Sequence, residues 1–149
     1  MSDVDVLYKW IEAGINDINN KKRLAFTVID KQSNQIVGST SIGNISPHDR
    51  RVEIGWTWLG REFQGRGIND QAKYLLIKYC FEELDCERVE FKTDILNEPA
   101  KRALKRIGAV EEGVLRSHTL MTNNRRRDTI YYSILKHEWQ NLKQKNNWP

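Results

Sequence analysis

The chain is poor in the residues that staple or interrupt a fold: 149 residues hold two cysteines, three prolines and nine glycines. Cys80 and Cys86 give no disulfide framework, so reduced thiols and a cytoplasmic setting are expected. So little proline and glycine excludes a collagen-like or low-complexity chain. Long apolar runs are missing as well. No stretch approaches the roughly eighteen residues of a membrane span, and Met1-Ser2-Asp3 opens no signal peptide; no membrane partner is expected. Charge of one sign is scarce: the net charge is +4, all of it local to Lys21-Lys22-Arg23, Arg125-Arg126-Arg127, Lys143 and Lys145. Such a surplus permits an anionic ligand without requiring nucleic acid.

What is present is globular composition, 39% hydrophobic and 30% charged, with no internal repeat and no linker. Residues 1–149 therefore read as one α/β domain. Leu7, Trp10, Ile11, Ile15 and Ile18 predict an amphipathic helix over Val4 to Ile18. Leu24 to Ile29 and Ile36-Val37-Gly38 flank a Ser33-Asn34-Gln35 turn and predict a hairpin. Arg51 to Leu59 is a further strand with an acid, Glu53, near its start; Gly55 inside it predicts a bulge or a close backbone approach. Ala72, Leu75, Leu76, Tyr79 and Cys80 fall on one helical stripe.

Arg88 to Thr93 alternates as a strand does. Asn97 is placed to cap a helix with Pro99 in its first turn, an apolar face of Ala100, Ala103, Leu104 and Ile107, and a stop at Gly108. Val110 to Arg116 and Asp128 to Leu135 predict two last strands around a basic loop, Thr119 to Arg127. The polar tail from His137 to Pro149 is expected to fray.

The segment Gly60-Arg61-Glu62-Phe63-Gln64-Gly65-Arg66-Gly67-Ile68 joins a strand to a helix. Its backbone N–H groups can wrap phosphate oxygens at a helix N-terminus, with Arg61 and Arg66 adding charge; a tight turn reads equally well from spacing alone. It is no Walker motif, because no Gly-Lys-Ser/Thr follows, and no dinucleotide fingerprint, because Asp70 stands where a third glycine belongs.

A longer series resembles a family. Glu53 to Leu59, Gln64 to Asn69, Glu90 to Asp94 through Asn97, Gly108 to Arg116, Arg127-Asp128-Thr129 and Tyr132 to Leu135 occur in the order and spacing of the GNAT-superfamily N-acetyltransferases, RimJ/RimL-like branch. The resemblance covers about residues 24–139. It implies a GNAT acyl-CoA N-acyltransferase fold, a mixed, mostly antiparallel sheet flanked by helices. It further implies acetyl-CoA as co-substrate, with the pyrophosphate on the amides of residues 62–68, among them Phe63, Gln64, Gly65, Arg66, Gly67 and Ile68. The backbone of Trp56, Thr57, Trp58 and Leu59 is then expected to pair with the pantetheine arm, and Asn97 to contact it.

The implied reaction is direct attack of a primary amine on the thioester in a ternary complex, with a strand N–H polarising the oxyanion. Glu53 is the candidate base, and its plainer reading is a salt-bridged strand acid; His118 and Asp128 are the alternatives. The branch implies a protein N-terminal α-amine of the ribosomal-protein type as acceptor, with small amines also open. No metal is expected, because His48, His118 and His137 lack ligand spacing with the cysteines.

Three departures stand against the pattern. Glu62 occupies a place usually held by Gln or Arg, where an acid repels phosphate unless it points away. Ala100 and Leu104 stand where relatives carry a Ser or Tyr near the thiolate. The usual first strand and helix have no counterpart ahead of Val4, which predicts exposed apolar surface and a homodimer. A non-catalytic acyl-CoA-binding or regulatory module is the alternative function.

Overall fold

The computed structural model describes residues 3–20, 22–122 and 124–149. Met1, Ser2, Lys21 of the first basic cluster and Asn123 of the basic loop lie outside the described residues. The elements run α1 (Asp3–Asn19), β1 (Arg23–Asp30), β2 (Gln35–Ser46), β3 (Arg51–Leu59), α2 (Ile68–Lys78), β4 (Arg88–Asp94), α3 (Glu98–Arg106), β5 (Val110–Leu120), β6 (Arg126–Leu135) and α4 (Trp139–Lys145). The six strands form one mixed sheet in the order β1-β2-β3-β4-β6-β5. Every pair is antiparallel except β3 with β4. That parallel pairing ends at Glu53 opposite Glu90, so residues 54–59 of β3 and 91–94 of β4 splay apart and leave a cleft.

One face of the sheet is covered by α2, α3 and α4 around Val52, Ile54, Val89 and Phe91. Full burial of side chains such as Ile77 and Phe91 contributes roughly 1.5–3 kcal/mol each. Strand β4 alternates as the sequence predicts, with Val89, Phe91 and Thr93 inward. Asn97 caps α3, its Oδ1 accepting from the Ala100 N–H at 3.1 Å, and Gly108 ends the turn at φ 88°.

Three expectations are corrected. The buried residues of α2 are Lys73, Tyr74, Leu76 and Ile77, with Cys80 buried in the helical turn that follows, while Leu75 and Tyr79 are exposed. The helix is rotated by about one residue because a lysine occupies a core position, a choice that hydropathy patterning rejects. Helix α1 forms as predicted, and its apolar stripe of Leu7, Ile11, Ile15 and Ile18 is exposed. Trp10, Gly14 and Asp17 are the residues that meet Arg23 of β1. Strand β2 is twelve residues long; its run of Ser and Thr conceals the strand from a hydrophobic pattern.

The tail is ordered rather than frayed. Trp139 and Leu142 of α4 are buried; Trp139 stacks on Tyr74 at 5.9 Å between centroids, and Trp148 packs tilted against Tyr74 at 5.2 Å. The Trp139 Nε1–H donates to Glu82 at 2.7 Å, and the Tyr74 hydroxyl donates to the Pro149 carbonyl at 2.5 Å. Leu142 also packs where a Cβ on Gly108 would stand, 2.3 Å from its Cδ2. Two tryptophans and a leucine therefore dock a segment whose mean composition is polar. Trp139→Ala is expected to lower unfolding free energy by about 3–5 kcal/mol, measured by urea denaturation. A loss below about 1 kcal/mol would mean that the tail adds little to the core.

Candidate active site

The cleft begins at a bulge in β3. Ser41 of β2 faces Gly55 and Ser39 faces Trp58, so β3 carries one extra residue. Trp56 lies at the bulge with φ 51°. A non-glycine residue in this region costs on the order of 1–3 kcal/mol. The cost is offset on the α1 face, where the Arg23 guanidinium lies 5.2 Å from the Trp56 ring and 5.8 Å from the Trp10 ring. Arg23 is 5% exposed and paired with Asp17 at 3.1 Å. The outer edge of the Trp56 ring lies over Gly43, 2.7 Å from where a Cβ would be, and Trp10 meets Trp58 edge-on at 6.0 Å.

The extra residue exchanges the faces of the strand. Val52 and Ile54 point toward α2 before the bulge, and Thr57 does so after it. There the Thr57 hydroxyl lies 2.8 Å from the Thr40 hydroxyl and 2.5 Å from the Lys73 Nζ. Lys73 Nζ also reaches Thr40 Oγ1 at 3.1 Å. Lys73 is 5% exposed, and burial pulls its ammonium down to about 7. Sequence reasoning missed this residue; the signal for it was a lysine at i−3 and i−4 from Leu76 and Ile77.

On the α1 face, Glu53 stands at the last paired rung. Its Oε2 accepts from Asn44 Nδ2 at 2.6 Å and pairs with Lys92 Nζ at 2.9 Å. Its Oε1 has no hydrogen-bond partner among the described residues and lies over Gly55, 3.1 Å from where a Cβ would be. The salt-bridged reading of Glu53 therefore holds, while one carboxylate oxygen stays open toward the bulge. Glu53 lines a polar cavity of about 630 Å³ with Asn44, Arg51, Glu90, Lys92 and Tyr131.

The loop after β3 opens beside α2. Arg61–Phe63 makes one 3₁₀ turn, and Gly65 and Gly67 take φ of 74° and 79°. A Cβ at either glycine would meet nothing within 4 Å. The N–H groups of Gly65, Arg66, Gly67, Ile68 and Asn69 have no acceptor among the described residues, whereas those of Asp70 and Gln71 bond to the Gly67 carbonyl. Asn69 Oδ1 is buried without a partner. The Gln64 side chain donates to the Leu59 carbonyl at 3.0 Å, and Arg66 lies 5.7 Å over the Phe63 ring. The Glu62 carboxylate turns back over Gly60, 3.3 Å from where a Cβ would be. A run of unpaired N–H groups at a helix N-terminus fits an anion such as a phosphate.

Asn97 lies at the end of β4 and lines a second cavity of about 320 Å³ with Thr93, Asp94, Leu96, Met121 and Arg127. Its Oδ1 is committed to the α3 cap. The alternative bases have other partners. His118 Nδ1 lies 3.1 Å from Thr129 Oγ1, and Asp128 Oδ1 accepts from the Ser117 N–H at 2.6 Å. The basic loop is bound to the fold: Arg125 pairs with Asp94, Arg126 donates to Ser117, and Arg127 donates to Thr129.

Lys73 makes stability depend on pH. Its folded value of about 7 lies below the ordinary lysine value of 10.5, so between them the unfolded chain holds the extra proton. Unfolding free energy then rises with pH across that window, by up to about 1.4 kcal/mol per unit. Urea denaturation is expected to show this rise for the wild type relative to Lys73→Met. Parallel curves for the two proteins would contradict it.

Residues 2–110 match the family described as the acetyltransferase (GNAT) domain. A Bacillus subtilis (strain 168) protein named "Putative ribosomal N-acetyltransferase YdaF" is 40% identical over 72% of this chain and 58% of its own length. An "Uncharacterized N-acetyltransferase p20" of Bacillus licheniformis is 31% identical over 84% of this chain and 70% of its own. The crystal structure of a GCN5-related N-acetyltransferase from Brucella melitensis superposes with a TM-score of 0.81 at 34% identity, over 85% of this chain and 57% of that one. The chain thus spans under two thirds of the YdaF and Brucella proteins. The open loop, the splayed strands and a match covering most of the chain agree: the protein belongs to the GNAT acetyltransferase family.

Proposed function

We propose that the chain is an acetyl-CoA-dependent N-acetyltransferase that moves an acetyl group to a primary amine by direct attack in a ternary complex. The observation that carries this reading is the placement of three features along β3 and the loop that follows it. They are the unpaired N–H groups of Gly65 to Asn69, the unpaired edge of β3 at its bulge, and the open Glu53 Oε1 over Gly55. In this reading the loop amides, including Phe63 to Ile68, hold the CoA pyrophosphate. The backbone of Trp56 to Leu59 lines the pantetheine arm, and Asn97 offers its amide group at the other wall of the cleft.

A neutral amine attacks the thioester carbon, the C–S bond breaks, and CoA leaves as a thiolate. Glu53 Oε1 removes the ammonium proton of the acceptor, directly or through one water. Lys92 and Asn44 fix the carboxylate by its other oxygen, which keeps Oε1 aimed at the bulge. A strand N–H stabilises the oxyanion. No side chain is assigned as acid for the leaving thiolate, which takes its proton from water.

The acceptor we infer is a protein N-terminal α-amine of the ribosomal-protein type, in keeping with the name carried by the Bacillus subtilis relative; a small amine is the second candidate. The setting is taken to be cytoplasmic. The outward stripe of Leu7, Ile11, Ile15 and Ile18 supports a homodimer as the working form.

Two variants separate binding from chemistry. Glu53→Gln is expected to lower kcat at neutral pH by about 10²-fold and leave the KM for acetyl-CoA nearly unchanged. Gly65→Asp is expected to raise that KM at least tenfold, roughly 1.4 kcal/mol, because it puts a carboxylate where phosphate would bind. Steady-state release of CoA thiol measures both. An unchanged kcat in Glu53→Gln would remove it as the base, and an unchanged KM in Gly65→Asp would remove the loop assignment.

A further inference from the structure

The face of the bulge opposite Glu53 holds a polar cluster that the chemistry above leaves unused. Lys73 Nζ, Thr40 Oγ1 and Thr57 Oγ1 form a triangle with sides of 2.5, 2.8 and 3.1 Å, and the Thr57 hydroxyl lies 3.3 Å from the Gly55 carbonyl oxygen. Thr40 Oγ1 approaches the same oxygen at 3.5 Å. An ammonium has three donors and no lone pair. When Lys73 carries its proton, both hydroxyls must accept from it. One hydroxyl hydrogen then spans the two threonines, and the other is left for the Gly55 carbonyl. When Lys73 is a neutral amine, its lone pair can take the Thr57 hydrogen, and the Gly55 oxygen loses its nearer donor and keeps only the longer 3.5 Å approach of Thr40 Oγ1.

The Gly55 carbonyl and the Trp56 N–H belong to one peptide. No peptide bond among the described residues is cis, so the two groups point in opposite directions. The carbonyl aims toward Thr40 of β2, and the N–H therefore aims away from β2, toward the side where β3 and β4 have parted. A donor on the carbonyl polarises the whole unit and strengthens the N–H as a donor, as in any hydrogen-bonded chain.

We propose that Lys73 is a positioning residue for acyl transfer: its ammonium, acting through the Thr57 hydroxyl, polarises the Gly55–Trp56 peptide so that the Trp56 N–H meets the charge developing on the thioester oxygen. This assignment rests on the acetyl-transfer reading of the cleft. The groups around Lys73 leave its proton to govern the relay. Strands β2 and β3 present only the Thr40 and Thr57 hydroxyls. Asp70, one turn earlier on α2, is held by Arg106 of α3 through two bonds of 2.7 and 2.9 Å. The Tyr74 hydroxyl donates to Pro149, and Glu53 and Arg23 lie on the other face of the sheet. Desolvation alone places the titration at about 7, so the relay is charged on the acid side and lost on the alkaline side.

The test is NMR of the whole chain with ¹⁵N-tryptophan and ¹³C-lysine labels, titrated from about pH 5.5 to about 9. The Trp56 amide and the Lys73 Cε are expected to share one midpoint. Lys73→Met should abolish the Trp56 inflection, and Thr57→Val, which keeps the lysine, should uncouple the two. A Trp56 inflection that survives either variant, or none in the wild type, would overturn the proposal. Turnover gives the second arm, with acetyl-CoA and a panel of peptides bearing free N-termini. The wild-type to Lys73→Met ratio of kcat should be about tenfold on the acid side of the titration and approach one on the alkaline side. The KM for acetyl-CoA should stay within about twofold. A ratio flat in pH, as a merely structural lysine would give, also overturns the proposal. Failure of the acetyl-transfer reading shows separately, as a wild type that releases no thiol with any amine.

Discussion

One extra residue in β3 sets the shape of this molecule's cleft. At Gly55 and Trp56 the strand gains a residue over β2, and the consequence is a change of face for everything that follows. Without it Trp56 and Trp58 would enter the core and Thr57 would face α1. The strained φ of Trp56 is held by contacts rather than by intrinsic preference. The ring packs on both the Arg23 guanidinium and the backbone of Gly43. Cation–π contacts of a desolvated arginine contribute about 2 kcal/mol each, the same order as the strain they offset. A second buried cation, Lys73, lies on the other face, so the bulge sits between two charges that fold most of their bulk away from water.

The rest of the site is arranged around that constraint. Parallel pairing of β3 with β4 stops at the rung of Glu53, just before the bulge, and the two strands part. The loop with Gly65 and Gly67 then turns its free N–H groups outward beside the same strand end, where Gln64 is tied to the Leu59 carbonyl. Asp70 and Arg106 join the first turn of α2 to the last turn of α3. The polar groups of the cleft are thus carried on braced elements, which is what positioning chemistry requires.

Much of this was legible in the residues. Asn97, Pro99 and Gly108 announce the start and end of α3 because capping and positive φ have strong local preferences. Gly55 inside an otherwise strand-forming run marks the bulge, although the residue that adopts the unusual φ is its bulky neighbour. What could not be read depends on tertiary partners. The Ser and Thr residues of β2 hide a central strand, since they sit opposite Lys73 and within the sheet rather than in a hydrophobic pattern. Lys73 reads as surface, and its burial shifts the apparent stripe of α2 by one residue. The tail is polar by composition, yet Trp139, Leu142 and Trp148 dock it with the bonds of Trp139 to Glu82 and Tyr74 to Pro149.

Acetyl transfer from CoA to an amine in this cleft, with Glu53 as the proposed base on one face of the bulge, is open to direct test. The most direct measurement follows thiol release from acetyl-CoA beside the intact mass of a peptide panel with free N-termini. Thiol is expected to be released in step with one added acetyl group on a peptide α-amine. Tight binding of acetyl-CoA with neither thiol release nor acetylation of any peptide or small amine would contradict it, and would identify the chain as an acyl-CoA-binding module instead.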